Sequence, residues 1–92
     1  MKKNRIKVFG KVQGVAFRYY TRLKAIELGI LGTVENQSDG SVEIFALADE
    51  NSMDLFVDWC RKGSPASKVS HLDMEEQDLS SNPEYEDFLI LR

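Results

Sequence analysis

Gly10-Lys11-Val12-Gln13-Gly14-Val15-Ala16-Phe17-Arg18 stands where the hydrophobic period of the chain changes. Upstream, Ile6, Val8, Gly10 and Val12 alternate with Lys7, Phe9 and Lys11, a period of two that predicts a half-buried strand over 6–12. Downstream, Phe17, Thr21, Ala25 and Leu28 recur at helical steps, which places them on one stripe. Tyr20 and Leu23 widen that stripe, while Arg22, Lys24 and Glu27 read as the solvent face. Gly29 is the expected left-handed residue that ends the helix. The stretch is therefore a strand-to-helix loop with two glycines and an arginine. The first N–H groups of a helix lack intrahelical partners and sit at the positive end of its dipole, so they can face an anion. An arginine at the mouth adds a planar donor fork suited to phosphate oxygens. Spacing alone leaves a second reading open, in which Gly14 supplies a tight turn and Arg18 is a surface arginine. The loop is neither a Walker motif nor a dinucleotide fingerprint.

Working outward, 30–36 reads as a strand, followed by the turn signal Gln37-Ser38-Asp39-Gly40. Asp-Gly between two alternating runs predicts a hairpin, with the returning strand over 41–47 and Val42, Ile44 and Ala46 on one face. Helix-capping candidates occupy 49–52. Met53, Phe56, Val57 and Cys60 form a second helical stripe, closed by Gly63 and Pro65. Residues 68–77 read as a weaker strand in which Val69, Leu72 and Met74 break the alternation, as a bulge would. Ser80-Ser81-Asn82-Pro83 is a loop, and 85–91 a final strand. The order βαββαβ plus a C-terminal fifth strand, with one apolar stripe per helix, predicts two helices on one face of a mainly antiparallel sheet. That is an α+β, ferredoxin-like sandwich, an architecture that hosts many unrelated functions.

Composition narrows the setting. The 92 residues, 42% hydrophobic and 29% charged, suit a single globular domain over 1–92. Fifteen acidic against 12 basic residues give a net charge of -3, which argues against a general nucleic-acid binder. Cys60 is the only cysteine, so no intramolecular disulfide forms and a reducing compartment is expected. No apolar run approaches the length of a membrane span, and the basic N-terminus leads into a strand pattern rather than a signal core. A soluble cytoplasmic protein with no membrane partner is the expectation.

The polar inventory excludes most catalytic chemistry. A metal site would have to be built from carboxylates, and no acidic spacing suggests one. A Ser-His or Cys-His pair would require His71, the only histidine, which falls in the irregular fourth strand and reads as a surface residue. Cys60 lies on the apolar stripe and reads as a small buried hydrophobe; the acidic run over 73–78 reads as a solvated face. The loop and Asn36 remain. Asn36 ends the second strand on the face of Val34, beyond the core, and could equally begin the following turn through a local side-chain hydrogen bond.

Several motifs are carried in order and at matching spacing: Gly10-x-Val12-Gln13-Gly14-Val15-x-Phe17-Arg18, Ala25-x-x-Leu28-Gly29, and Gly32-x-Val34-x-Asn36-x-x-Asp39-Gly40-x-Val42-Glu43. Gly63-x-Pro65-x-x-x-Val69 and Phe88-x-Ile90 follow. Over nearly its whole length the chain resembles the acylphosphatases. The resemblance implies a metal-free, cofactor-free hydrolase that splits a small-molecule acyl phosphate into a carboxylate and inorganic phosphate. It implies that Arg18 holds the phosphoryl group, that the backbone of Gln13, Gly14, Val15, Ala16 and Phe17 cradles it, and that Asn36 positions the attacking water. A monomer is common in the family. Ala16 departs from the commoner glycine, and the loop is expected to survive this if Ala16 keeps a negative φ. Thr33 and Ala48 also depart, replacing a frequent aromatic and a frequent glycine.

A rival from another class is a ferredoxin-like module that binds a small anion or a partner protein without turnover; a mere anion binder has no need of Asn36. An RNA-binding version would stack bases on exposed aromatics of the central strands. Phe9 and Phe45 occupy such positions, against the unfavourable charge.

Overall fold

A computed structural model describes residues 1–80 and 84–91. Strand β1 (Lys2–Lys11) pairs antiparallel with β3 (Val42–Ala48) on one side and β4 (Lys68–Gln77) on the other. Strand β2 (Leu31–Asn36) pairs antiparallel with β3 and parallel with the short β5 (Phe88–Ile90), giving the order β4-β1-β3-β2-β5. Helices α1 (Phe17–Glu27) and α2 (Glu50–Lys62) complete the expected βαββαβ arrangement with a fifth strand, the ferredoxin-like sandwich.

The core lies between the helices and the sheet. Ile6, Val8, Val34, Ile44 and Ala46 come from the strands, and Phe17, Ala25, Met53, Phe56 and Cys60 from the helices; all are buried. Phe88 anchors β5 by meeting Phe56 edge to face, with ring centroids 6.1 Å apart. Burial of each such aromatic side chain contributes about 1.5–3 kcal/mol. Helix α2 starts where the capping residues predicted it: the Asp49 carboxylate accepts from the Ser52 amide at 2.8 Å. Glu50 in its first turn and Arg61 and Lys62 in its last complement the helix dipole. Gly29 takes φ 71 after α1, as expected of a left-handed terminator.

The irregularity expected in the fourth strand is a bulge. Phe9 pairs with His71 but Gly10 with Val69, so Ser70 has no partner. Gly10 has φ 125, and a Cβ there would sit 2.2 Å from the Lys68 carbonyl oxygen, so only glycine lets the two backbones approach.

The structure corrects four expectations. Strand β1 begins at Lys2 rather than Ile6 and ends before Val12. Its polar start is held by partners: Asn4 donates to the Met74 sulfur at 3.5 Å, and the Lys3 ammonium lies 5.2 Å from the Tyr85 ring centroid. The last strand is three residues long instead of covering 85–91. Tyr20 and Leu23 are exposed, because α1 lies over the sheet edge, where a three-residue strand offers little width to cover. Arg22 does not lie free on the solvent face; its Nε donates to the Phe88 carbonyl at 2.9 Å and so satisfies an acceptor of the edge strand. Of the loop expected over 80–83, residues 81–83 lie outside the described residues.

Candidate active site

The loop between β1 and α1 ends in a residue with an unusual backbone. Ala16 caps α1 at φ 60 and ψ 22, in the left-handed region, and no side chain caps the helix. Ala16 therefore does not keep the negative φ on which the survival of the loop was made conditional. The turn into the helix needs two residues of positive φ, Gly14 at 73 and Ala16 at 60. An exposed methyl is the smallest side chain that can occupy the second. The first intrahelical bond runs from the Tyr20 amide to the Ala16 carbonyl at 3.1 Å. The amides of Phe17, Arg18 and Tyr19, which precede it, are the unpaired N–H groups of the helix start, and α1 has no acidic residue in its first turn to compete for an anion.

These groups border a cleft of about 190 Å³ lined by Val12, Gly14, Ala16, Phe17, Arg18, Tyr19, Asn36 and Ile90. The cleft brings Arg18 and Asn36 together from two elements 18 positions apart in the chain. Of the six loop residues expected to hold phosphate, Gly14, Ala16, Phe17 and Arg18 line it; Gln13 and Val15 do not. Val15 instead packs against the core, and its carbonyl accepts from the Ser64 hydroxyl at 3.3 Å. The Arg18 guanidinium donates from Nη1 to the Leu91 carbonyl at 2.8 Å. That bond fixes the direction of the fork and leaves its other donors for a ligand.

Asn36 distinguishes a turn residue from a site residue. The hairpin turn does not use its side chain. Asp39 does that work, accepting from the Ser41 amide at 3.0 Å and from the Ser41 hydroxyl at 2.5 Å, with the Lys7 ammonium 3.0 Å from its other oxygen. The Ser41 hydroxyl, the Ser41 amide and Lys7, in that order, hold the Asp39 carboxyl well below the usual carboxylate range. Asn36 is left with a buried Oδ1 that has no hydrogen-bond partner. A buried polar atom without a partner is costly, and this one belongs to a residue of the cleft wall.

The other candidates lie elsewhere. His71 is on the edge strand β4, exposed, 2.6 Å from Asp73 and tilted against the Phe9 ring. Cys60 is fully buried, and desolvation pushes its thiol far above its ordinary value, which makes it an inert core residue. Among the described residues no three His, Cys, Asp or Glu side chains gather as a metal site would need. Among the described residues no helix is long and apolar enough to cross a membrane. The cleft also takes in Val12, Tyr19 and Ile90, which the sequence did not assign to the site. Tyr19 follows Arg18 in the first helical turn, while Val12 and Ile90 stood in the matched motifs without a site role; the place of Ile90 depends on the parallel pairing of β5 with β2.

Fold and cleft together define a small ferredoxin-like protein with one arginine and one carboxamide lining a shared cleft. The acylphosphatase family profile matches residues 4–90. An acylphosphatase of Thermotoga petrophila is 48% identical over 91 residues, covering 98% of this chain and 97% of its own. The crystal structure of the Bacillus subtilis acylphosphatase superposes with a TM-score of 0.92 at 39% identity, covering all of both chains. A Coxiella burnetii acylphosphatase structure gives 0.89 at 37%, covering 98% of this chain and 92% of that one. The chain belongs to the acylphosphatase family. It is an enzyme, and family membership implies a small-molecule acyl phosphate as substrate.

Proposed function

We propose that the enzyme hydrolyses the carboxyl-phosphate anhydride without a metal ion or cofactor, with Arg18 and the loop amides binding the phosphoryl group and Asn36 orienting the water. The observation that carries this reading is the unpartnered, buried Asn36 Oδ1 in the same cleft as Arg18. Such an acceptor suits a water held for in-line attack, since the water donates one hydrogen to Oδ1 and turns a lone pair toward phosphorus.

The reaction needs little from the protein beyond charge and placement. Water oxygen bonds to phosphorus as the bond from phosphorus to the acyl oxygen breaks, and the carboxylate leaves with the bonding pair. A carboxylate of ordinary pKa, about 4, departs without a general acid. Among the described residues no Asp, Glu or His lines the cleft, which leaves a phosphoryl oxygen of the substrate as a candidate acceptor for the water's proton. Arg18 and the helix-start amides neutralise charge on the equatorial oxygens, which is where phosphoryl transfer gains most from preorganised donors. A monomer is the state the family resemblance suggests, and the single buried thiol suits a reducing cytoplasm.

The test is phosphate release from benzoyl phosphate by the purified chain, with and without EDTA. Arg18→Ala and Asn36→Ala, each checked for fold by circular dichroism, should lose about two orders of magnitude or more in kcat. EDTA should leave the wild-type rate unchanged. Full activity in either folded variant refutes the role assigned to that residue, and a rate that EDTA abolishes and magnesium restores refutes the metal-free mechanism.

A further inference from the structure

Gln13 belongs to the loop but its side chain leaves the cleft and crosses to the hairpin. Its Nε2 donates to the Gln37 carbonyl at 2.8 Å and to the Ser41 carbonyl at 2.9 Å. Both carboxamide hydrogens are thus spent on two carbonyls that face each other across the mouth of the β2–β3 turn. The same carbonyls close the turn from within: the Gln37 amide donates to Ser41 at 2.8 Å and the Gly40 amide to Gln37 at 3.2 Å. Gln37 directly follows Asn36, and Ser41 directly precedes Val42, the ladder partner of Asn36. Asn36 therefore stands at the boundary between a strand fixed by the sheet and a turn tied to Gln13. The loop backbone that carries Gln13 continues into Gly14, the next residue of the cleft wall.

We propose that Gln13 is a positioning residue that sets the separation between the phosphoryl cradle and the Asn36 carboxamide. This rests on the water-orienting role given to Asn36 above. That role accounts for a side chain with two good donors turning away from the loop whose backbone is expected to cradle the anion. Its hydrogens span the two halves of the site, and the distance from phosphorus to the held water depends on them. On the reading above the phosphate meets Arg18 and the loop amides, while the Gln13 side chain bonds only to Gln37 and Ser41. Loss of the strut therefore acts on the water and leaves phosphate affinity alone. A displacement of about 1 Å between reacting groups lowers rates by up to about a hundredfold.

The experiment compares wild type, Gln13→Met, Gln13→Ala and Gln13→Lys by benzoyl phosphate kinetics and by calorimetric titration with inorganic phosphate. The first two variants lose both donors. In Gln13→Lys, the ammonium can still donate to both carbonyls. The expected result is a kcat about tenfold or more lower in Gln13→Met and Gln13→Ala, with phosphate affinity within about threefold of wild type and kcat of Gln13→Lys within about threefold. In an Asn36→Ala background, under single-turnover conditions, Gln13→Met should change the residual rate by less than about twofold, because the two residues act as one unit. Unchanged kcat in the donor-free variants, a loss that appears in phosphate affinity instead, or a Gln13→Lys as impaired as Gln13→Met would each overturn the proposal. So would unfolding of both donor-free variants, which would assign Gln13 to stability. A wild-type chain without turnover would refute the enzymatic reading itself and is seen before any variant is compared.

Discussion

Replacing Ala16 with glycine should make the protein more stable. Ala16 holds φ 60 and ψ 22 with no capping hydrogen bond from its side chain, and a non-glycine residue in the left-handed region costs about 1–2 kcal/mol. Glycine removes that strain. Its greater freedom in the unfolded chain returns about 0.5–1 kcal/mol of the gain. The lost methyl is exposed, so its removal forfeits little apolar burial. The balance is a stabilisation of about 0.5–1 kcal/mol, which for a domain of this size raises Tm by about 2–8 °C. Differential scanning calorimetry of Ala16→Gly beside wild type reads it directly, and urea unfolding gives the free energy at 25 °C. Ala16→Val serves as the opposite control, since a β-branched residue in the same backbone well should lower Tm. Benzoyl phosphate turnover of Ala16→Gly should stay within about twofold, because the substitution relaxes the loop without moving Gly14 or Arg18. A Tm of Ala16→Gly at or below that of wild type would refute the argument, since it would mean that the loop holds residue 16 outside the left-handed region.

Two more predictions address the hairpin and the edge strand. The Asp39 carboxyl is held below its ordinary range in the folded state, so the stability it contributes is fully present above about pH 4 and is lost as pH falls below that. Asp39→Asn should therefore flatten the fall of stability with acid, and an acid-titration curve of unchanged steepness would refute the linkage. Phe88→Ala removes the only buried side chain of β5, a ring packed edge to face on Phe56. It should cost about 3–5 kcal/mol and lower Tm by more than about 12 °C. A drop of less than about 5 °C would show that β5 is held by other contacts.

Most of the fold could be read from period and punctuation. The change from alternation to helical spacing at Phe17, the Asp39-Gly40 turn, the Asp49 cap and the terminating Gly29 and Gly63 are local signals, and each is found where it was expected. What escaped depends on distant partners. The polar start of β1 becomes a strand because β3 and β4 lie on both sides of it, and Tyr20 and Leu23 are exposed because β5 proves so short. Nothing in an alanine announces a positive φ. At the site, the loop and Arg18 could be read from the sequence as a candidate anion cradle or as a plain tight turn, and Asn36 was equally a turn residue until Asp39 was seen to serve the turn. The crossing of Gln13 to Gln37 and Ser41 joins positions 24 and 28 residues apart, and no pattern within the loop encodes it.

The bulge at Ser70 has a bearing on how copies of this protein meet in solution. Strand β4 is one open edge of the sheet, and an open edge offers unpaired backbone groups to any passing strand. The displaced residue breaks the regular run of those groups near the start of the strand. Beyond it, Asp73, Glu75 and Glu76 stand exposed. Two such edges laid side by side would have to bring acidic side chains together over a backbone that no longer offers an even row of donors and acceptors. The irregularity that makes room for the approach of Gly10 thus also guards the protein against sheet-to-sheet aggregation.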